Sequence, residues 1–315
     1  MKENPFNVIF RKKEFLFPYD YPLVAFPFYI DIELTNKCNL DCIMCSRQIM
    51  QRPIGFMGMD IFRKIVDEVK EYDSAIRFSR WGEPTQHPKF SVALEYARSN
   101  NVLSYISTNA FSSTDRIIKL YHAKPDVIRF SFQGTSKETF EKFRFPAIYD
   151  VVARNIRMIF SMREEDKSDI PYMIISSSLT NETEEEKETF KKYWLKYVDR
   201  VEFSKTSFSR LDYVGRVKDV RGEESISRVY KPCTEIVTKL SVNYNGDVSV
   251  CCADYDNFLI LGSLYTSTLK TLWNSDRMTK LRDMLGEKLL HQQLPLCATC
   301  FTEDSKFDDL KKWRV

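Results

Sequence analysis

From residue 27 onward the chain alternates between short apolar runs of strand length and longer stretches whose apolar residues recur every three or four positions. The short runs, at 28–34, 75–79, 102–107, 127–132, 171–178 and 201–204, have the length and the Val, Ile, Phe and Ser content of buried strands. Between them, residues 59–72 set Ile61, Ile65 and Val69 on one helix face, and 88–99, 113–122, 137–143, 149–162 and 183–197 repeat that spacing. Helix starts are marked by Asp60, by Ser113 or Thr114, and by Thr183-x-x-Glu186, a capping box. That box makes the glutamate run 184–186 a helix start rather than a metal site. Six strand–helix steps predict an α/β fold with a parallel sheet and right-handed crossovers, curled into a partial (β/α)6 TIM-like barrel. In such a sheet the loops after the strands carry the chemistry.

The pattern changes at both ends. Residues 1–25 hold Phe6, Phe10, Phe15 and Phe17 and are broken by Pro18 and Pro22. They read as an arm that covers apolar surface or lines a substrate entrance. Residues 26–204 form the barrel, and 205–232, without periodicity, a linker. Beyond it, 239–243 and 248–252 flank Asn245-Gly246, a hairpin signal because both turn residues tolerate positive φ. A helix over 268–290, interrupted at Asn274-Ser275, follows. The expected result is a small C-terminal unit of hairpin plus helix over 233–303, with a tail at 304–315.

Charge narrows the function classes. Lys+Arg 47 against Asp+Glu 44 leaves +3, too balanced for a nucleic-acid footprint. The first ten residues lack a signal-peptide pattern, and no apolar run reaches the roughly 20 residues that span a bilayer. A cytoplasmic protein with neither nucleic-acid nor membrane partners is expected. In a reducing compartment eight cysteines do not read as a disulfide framework. Cys38, Cys42 and Cys45 follow the first strand, whereas Cys233, Cys251, Cys252, Cys297 and Cys300 fall in the last quarter. Two metal sites are the economical reading. Three thiolates are one short of a closed tetrahedral site, so the first implies an open position at a reaction centre.

The run Cys38-Asn39-Leu40-Asp41-Cys42-Ile43-Met44-Cys45, led by Glu33-Leu34-Thr35-Asn36-Lys37, resembles the signature of radical S-adenosylmethionine (radical SAM) enzymes, C-x3-C-x-aromatic-C, with Met44 at the aromatic position. The resemblance implies that these cysteines hold a 4Fe-4S cluster whose remaining iron binds SAM. It extends to Trp81-Gly82-Glu83-Pro84, similar to the family's Gly-Gly-Glu-Pro with Trp81 for the first glycine. By the same likeness Gly82, Glu83, Thr108, Asn109, Ser131, Gln133, Arg144 and Asn181 are expected SAM contacts.

The later cysteines resemble the SPASM/twitch extension of the same superfamily. This implies an auxiliary 4Fe-4S cluster on Cys233, Cys251, Cys297 and Cys300, hence two clusters per chain, although zinc would use the same four thiolates. In an extended strand Cys251 and Cys252 point to opposite faces, so one ligates. Cys251 keeps the family's spacing from Gly246. Cys252 is then either a small buried hydrophobe or a hydrogen-atom donor to a substrate radical. Asp254, Glu202 and Lys205 are further candidates for substrate contact. The resemblance implies hydrogen abstraction from a small polar substrate of sugar or aminocyclitol type, giving dehydrogenation or epimerisation, with flavodoxin or ferredoxin as electron donor. The alternatives are a peptide-modifying maturase and a non-catalytic zinc scaffold.

Overall fold

A computed structural model of the protein describes residues 3–9, 24–206 and 233–298. Most of the expected arm and linker, Cys300, and the tail 304–315 lie outside the described residues. The six expected strands are present: β1 (Tyr29–Ile32), β2 (Ala75–Phe78), β3 (Ser104–Thr108), β4 (Val127–Gln133), β5 (Tyr172–Leu179) and β6 (Arg200–Lys205). Each pairs in parallel with the next. The intervening helices are α1 (Met59–Val69), α2 (Phe90–Ser99), α3 (Thr114–His122), α4 (Lys137–Phe143), α5 (Tyr149–Glu165) and α6 (Glu184–Trp194). The Thr183–Glu186 capping box forms in full.

The C-terminal hairpin does not stand apart. Its strands β7 (Lys239–Val242) and β8 (Asp247–Ser249), with β9 (Ile260–Ser263), continue the same sheet, and β7 runs parallel to β1 with Tyr29 beside Lys239. The sheet order is β6-β5-β4-β3-β2-β1-β7-β8-β9, open at both margins. Gly246, at φ +81°, makes the β7–β8 turn as Asn245-Gly246 predicts. The expected long helix divides into α7 (Leu269–Trp273) and α8 (Asp276–Gly286), with Ser275 capping the second.

Alternation along each strand gives the sheet two different faces. Ile30, Ile32, Ile76, Phe78, Ile106, Ile128, Phe130 and Phe132 belong to the main apolar core shared with the helices. The opposite, concave face is layered. At the strand starts Tyr29, Ala75, Tyr105, Val127, Tyr172 and Ile174 form a second cluster, closed by Phe6 and Ile9 from the N-terminal segment. Phe6 meets Tyr105 edge-on at 5.3 Å between ring centroids. The described part of the arm therefore plugs the end of the barrel opposite the cysteine loop and lines no entrance there.

Above the plug lies a buried ion network. Asp31 on β1 accepts from Arg77 Nε at 2.7 Å and Nη2 at 2.9 Å, and from Lys239 Nζ on β7. Lys239 also pairs with Glu235. Burial would raise the Asp31 carboxyl, but the two cations and their hydrogen bonds outweigh it and hold it at about 2.

Candidate active site and metal centres

The cysteine loop leaves β1 at the C-terminal rim of the sheet and is fastened by main-chain bonds to the segment after α4. Asp41 N donates to Phe145 O at 2.7 Å and Ile43 N to Phe143 O at 2.9 Å. Inside the loop, Arg47 donates to Leu40 O at 2.7 Å and to Asp41 Oδ1 at 2.6 Å. Cys38, Cys42 and Cys45 are half-buried, and the charge of each influences at least one of the others. Burial, reinforced by the carboxylate of Glu83, pushes the Cys38 thiol up to about 12; burial pushes Cys42 up to about 11 against the pull of Arg144. Left to the protein alone these are neutral thiols. Metal coordination is what holds such groups as thiolates.

Glu83, Thr108 and Asn109 converge behind the loop. The Glu83 carboxylate is 3% exposed and accepts from Thr85 N at 3.1 Å, Thr85 Oγ1 at 2.8 Å, Thr108 Oγ1 at 2.8 Å and Asn109 N at 2.7 Å. Burial still raises its pKa above the ordinary carboxylate value. Three donors on Oε1 occupy that oxygen, and Oε2 keeps acceptor capacity. Glu83 is thus first a cross-link between the loops after β2 and β3. Asn109 extends the network to the cysteines: its Nδ2 lies 3.9 Å from Cys38 Sγ and donates to Asn39 Oδ1 at 3.0 Å.

Gly82 sits at φ +85°, and a Cβ there would lie 2.2 Å from Thr35 O and 2.8 Å from the Asn36 backbone. Only glycine lets the Trp81-Gly82-Glu83-Pro84 turn lie against the lead-in to the cysteine loop. Gly82→Ala is expected to lower stability by about 2–4 kcal/mol, from the left-handed penalty plus overpacking. Urea unfolding measures it, and a loss under about 0.5 kcal/mol would show that the turn relaxes freely.

Arg144 follows α4 and is 9% exposed. Its Nη2 donates to Phe132 O at 2.9 Å, while Nε is buried with no acceptor. Burial lowers its pKa, and the three cysteines of the loop, when charged, would raise it. An orphaned guanidinium nitrogen beside three thiols fits an anionic group bound there, either a thiolate cluster or a carboxylate. Ser131 is half-buried on the concave face. Gln133, fully buried, gives its amide to Thr206 Oγ1 at 2.6 Å and keeps an unaccepting Oε1. Asn181 is exposed in the turn before α6, and no contact ties it to the cysteine loop.

At the other margin of the site, β8 ends at Ser249, so Cys251 and Cys252 do not lie in a strand as expected. Buried Asp254 draws the chain into a turn, accepting from Ser249 Oγ at 2.9 Å, Phe258 N at 2.8 Å and Leu259 N at 2.9 Å. That makes Asp254 an organiser of the turn rather than a substrate contact. The two thiols are adjacent and hydrogen-bonded, and that bond raises Cys252 well above its ordinary value. Cys252 is exposed, and its charged neighbours are Lys239 and Glu235 at the start of β7, not the cysteine loop. Cys233 and Cys297 are half-buried and pack against the main core along with Cys251. Among the described residues no three His, Cys, Asp or Glu side chains converge on a single ion position.

Two arginines absent from the sequence reading join these centres. Arg80, just past β2, donates to Cys251 O at 2.6 Å and Asn243 Oδ1 at 2.7 Å. Arg52 makes a two-pronged pair with Glu33 at 2.8 Å on both oxygens and donates to Tyr255 O at 2.7 Å. Only the Arg80-Trp81-Gly82-Glu83 adjacency could have hinted at this, since both partners of Arg80, and Tyr255 for Arg52, lie more than 160 residues away.

Comparison with known proteins bears on the geometry directly. The model of the radical SAM superfamily matches residues 32–192, just over half of the chain. The chain belongs to the radical SAM superfamily. The model of SPASM, an iron-sulfur cluster-binding domain, matches residues 233–301. As a radical SAM protein with a SPASM domain it carries the residues for iron-sulfur clusters and SAM binding.

Among curated relatives, a tungsten-containing aldehyde ferredoxin oxidoreductase cofactor-modifying protein of Pyrococcus furiosus is 29% identical over 49% of this radical SAM chain and 44% of its own. An AdoMet-dependent heme synthase of Methanosarcina barkeri is 27% identical over 52% of this chain and 46% of its own. The matched stretch thus spans less than half of either relative. Two solved structures share the fold. Streptococcus suis SuiB bound to precursor peptide SuiA has TM-score 0.64 and 14% identity, over 87% of this chain and 69% of that one. BtrN in complex with AdoMet and 2-DOIA has TM-score 0.55 and 16% identity, over 88% and 96%. No helix among the described residues is long and apolar enough to cross a membrane.

Proposed function

We propose that this radical SAM enzyme is a maturase that abstracts hydrogen from a peptide or a cofactor precursor. The observation that carries the reading is the pairing of a radical SAM domain and a SPASM domain with relatives named for cofactor modification and heme synthesis. A fold neighbour solved with a precursor peptide supports the same direction. These relatives favour a peptide or precursor over the sugar or aminocyclitol expected from the chain alone, and BtrN with 2-DOIA keeps the latter as an outcome of the test.

In this reading Cys38, Cys42 and Cys45 hold one 4Fe-4S cluster, and Cys233, Cys251, Cys297 and Cys300 the auxiliary one, two per chain. The chemistry a bound cluster supplies is one electron to the sulfonium of SAM, breaking a carbon–sulfur bond to give a radical that takes hydrogen from carbon. The protein's own part is placement. Arg144 offers its free Nε to a carboxylate or to cluster charge, and Glu83 offers the open side of Oε2 to an ammonium. Gly82, Thr108 and Asn109 keep these two groups in register with the loop. Ser131, Gln133 and Asn181 are assigned to the nucleoside end, and Cys252 remains a hydrogen donor only for a substrate that reaches β7. A flavodoxin or ferredoxin supplies the electrons.

The test is anaerobic reconstitution, SAM and reductant, then peptide, cofactor-precursor and cyclitol pools followed by mass spectrometry. A SAM-dependent mass change or solvent deuterium gain confined to peptides or precursors is expected, with formation of 5'-deoxyadenosine. A change confined to the cyclitol pool would replace the maturase reading, and zinc without SAM cleavage would refute both.

A further inference from the structure

The concave face between the apolar plug and the cysteine loop carries two arginines in very different states. Arg77 is neutralised, with Nε and Nη2 both on Asp31 and its guanidinium 4.1 Å from the Tyr29 ring. Arg129, two strands away on β4, has no such partner. Its Nη2 donates to Ser176 Oγ, its Nε is buried without an acceptor, and the nearest carboxylate, Glu202, is 3.9 Å off, beyond hydrogen-bond reach. Glu202 is itself claimed by Arg200 at 3.0 Å. The neighbouring Ser107 Oγ, beside Arg129 in the β3–β4 register, is also buried and unpartnered.

The position of Arg129 gives this deficit a function. Its side chain stays 35% exposed even though Nε is buried, so part of it remains accessible to a ligand on the concave face. Its charge opposes that of Arg144, whose own charge is felt by the three cysteines of the loop. Arg129 therefore stands on the concave face, on the cysteine-loop side of the plug, one positive charge in excess of what Glu202 can balance between two arginines. A planar fork with five N–H donors and one hydrogen bond accepts one ligand chemistry best, a carboxylate bound through two parallel contacts.

We propose that Arg129 binds a carboxylate of the substrate and so selects which part of it faces the cysteine loop. This rests on the proposed function, which names a substrate class but not where it binds, and deepens it by placing the substrate carboxylate on the concave face, on the cysteine-loop side of the apolar plug. The source is either a peptide's terminal carboxylate or an acidic side chain, and the probes below separate the two.

The experiment titrates reconstituted holoenzyme plus SAM, by calorimetry, with three probes. N-acetylalanine carries a terminal carboxylate, N-acetylglutamate α-methylamide a side-chain carboxylate, and N-acetylalanine methylamide neither. At least one carboxylate probe is expected to bind about 10-fold more tightly than the neutral one, and the stronger of the two identifies the source. Arg129→Gln should erase that preference, and Arg129→Lys should keep part of it. Glu202→Gln should tighten carboxylate binding about 3-fold by removing the competing charge, an effect that misfolding cannot imitate. No carboxylate preference in the natural protein, a preference that survives Arg129→Gln, or unchanged or weaker carboxylate binding in Glu202→Gln would each overturn the proposal. 5'-Deoxyadenosine formation and the substrate pool are scored separately, so a failed maturase reading leaves the carboxylate preference standing or falling by itself.

Discussion

Replacing Cys38, Cys42 and Cys45 together by alanine is expected to lower bound iron from about eight to about four per chain and to abolish SAM cleavage. The loop itself should persist, because its anchors are main-chain bonds from Asp41 and Ile43 to Phe145 and Phe143 and the side chain of Arg47, none of which uses sulfur. What is lost is the ligand set, and a cluster held by no thiolate has no hold on this protein. Iron and sulfide analysis with 5'-deoxyadenosine quantification reads the result. Retention of the full iron complement, or of cleavage, would show that the loop is not the radical-generating site.

Asp31→Ala is expected to be the most destabilising single change, by about 3–5 kcal/mol, because it leaves Arg77 and Lys239 buried with no common counter-ion. Asp31 is fully buried and joins β1, β2 and β7, so the loss falls on three strands at once. The same network gives an acid signature. The carboxyl is held near 2, below its unfolded value of 3.8, so its contribution is complete above about pH 4 and is lost as pH falls toward 2. That shift corresponds to about 2.5 kcal/mol, less than the alanine cost because a protonated Asp31 still fills the site and accepts hydrogen bonds. Denaturant unfolding at pH 7, and again between pH 4 and 2, measures both. A variant within about 1 kcal/mol of the natural protein would show that water enters to solvate the two cations.

The barrel was legible because each strand and helix announces itself locally: Ile61, Ile65 and Val69 on one helix face, Thr183 and Glu186 in one box, Asn245-Gly246 in one turn. The cysteine loop and the Trp81-Gly82-Glu83-Pro84 turn were legible for a similar reason, being contiguous. What stayed hidden depends on partners distant in sequence. Nothing near Asp31 indicates that Lys239, 208 residues on, completes its pairing, nor that Arg80 reaches Cys251. The strand expected to run through Cys252 stops at Ser249 because Asp254 captures three donors and turns the chain. A carboxylate so placed reads in sequence as one more polar loop residue. Glu83 was singled out for a ligand, yet most of its capacity goes to fastening two loops, which no spacing rule reveals. Arg129 was overlooked because a lone arginine in an apolar run looks like the solvent-facing member of a strand, whereas here that face is the inside of the barrel.

The pairing of β7 with β1 also determines how the protein can be divided. Without residues 233–298, β1 would become an edge strand of four buried residues, Tyr29 to Ile32, offering unpaired backbone to any other extended chain, with Asp31 half-neutralised behind it. An isolated radical SAM half would thus be an aggregation-prone fragment rather than a smaller enzyme, and the cooperative folding unit includes both cysteine-bearing regions.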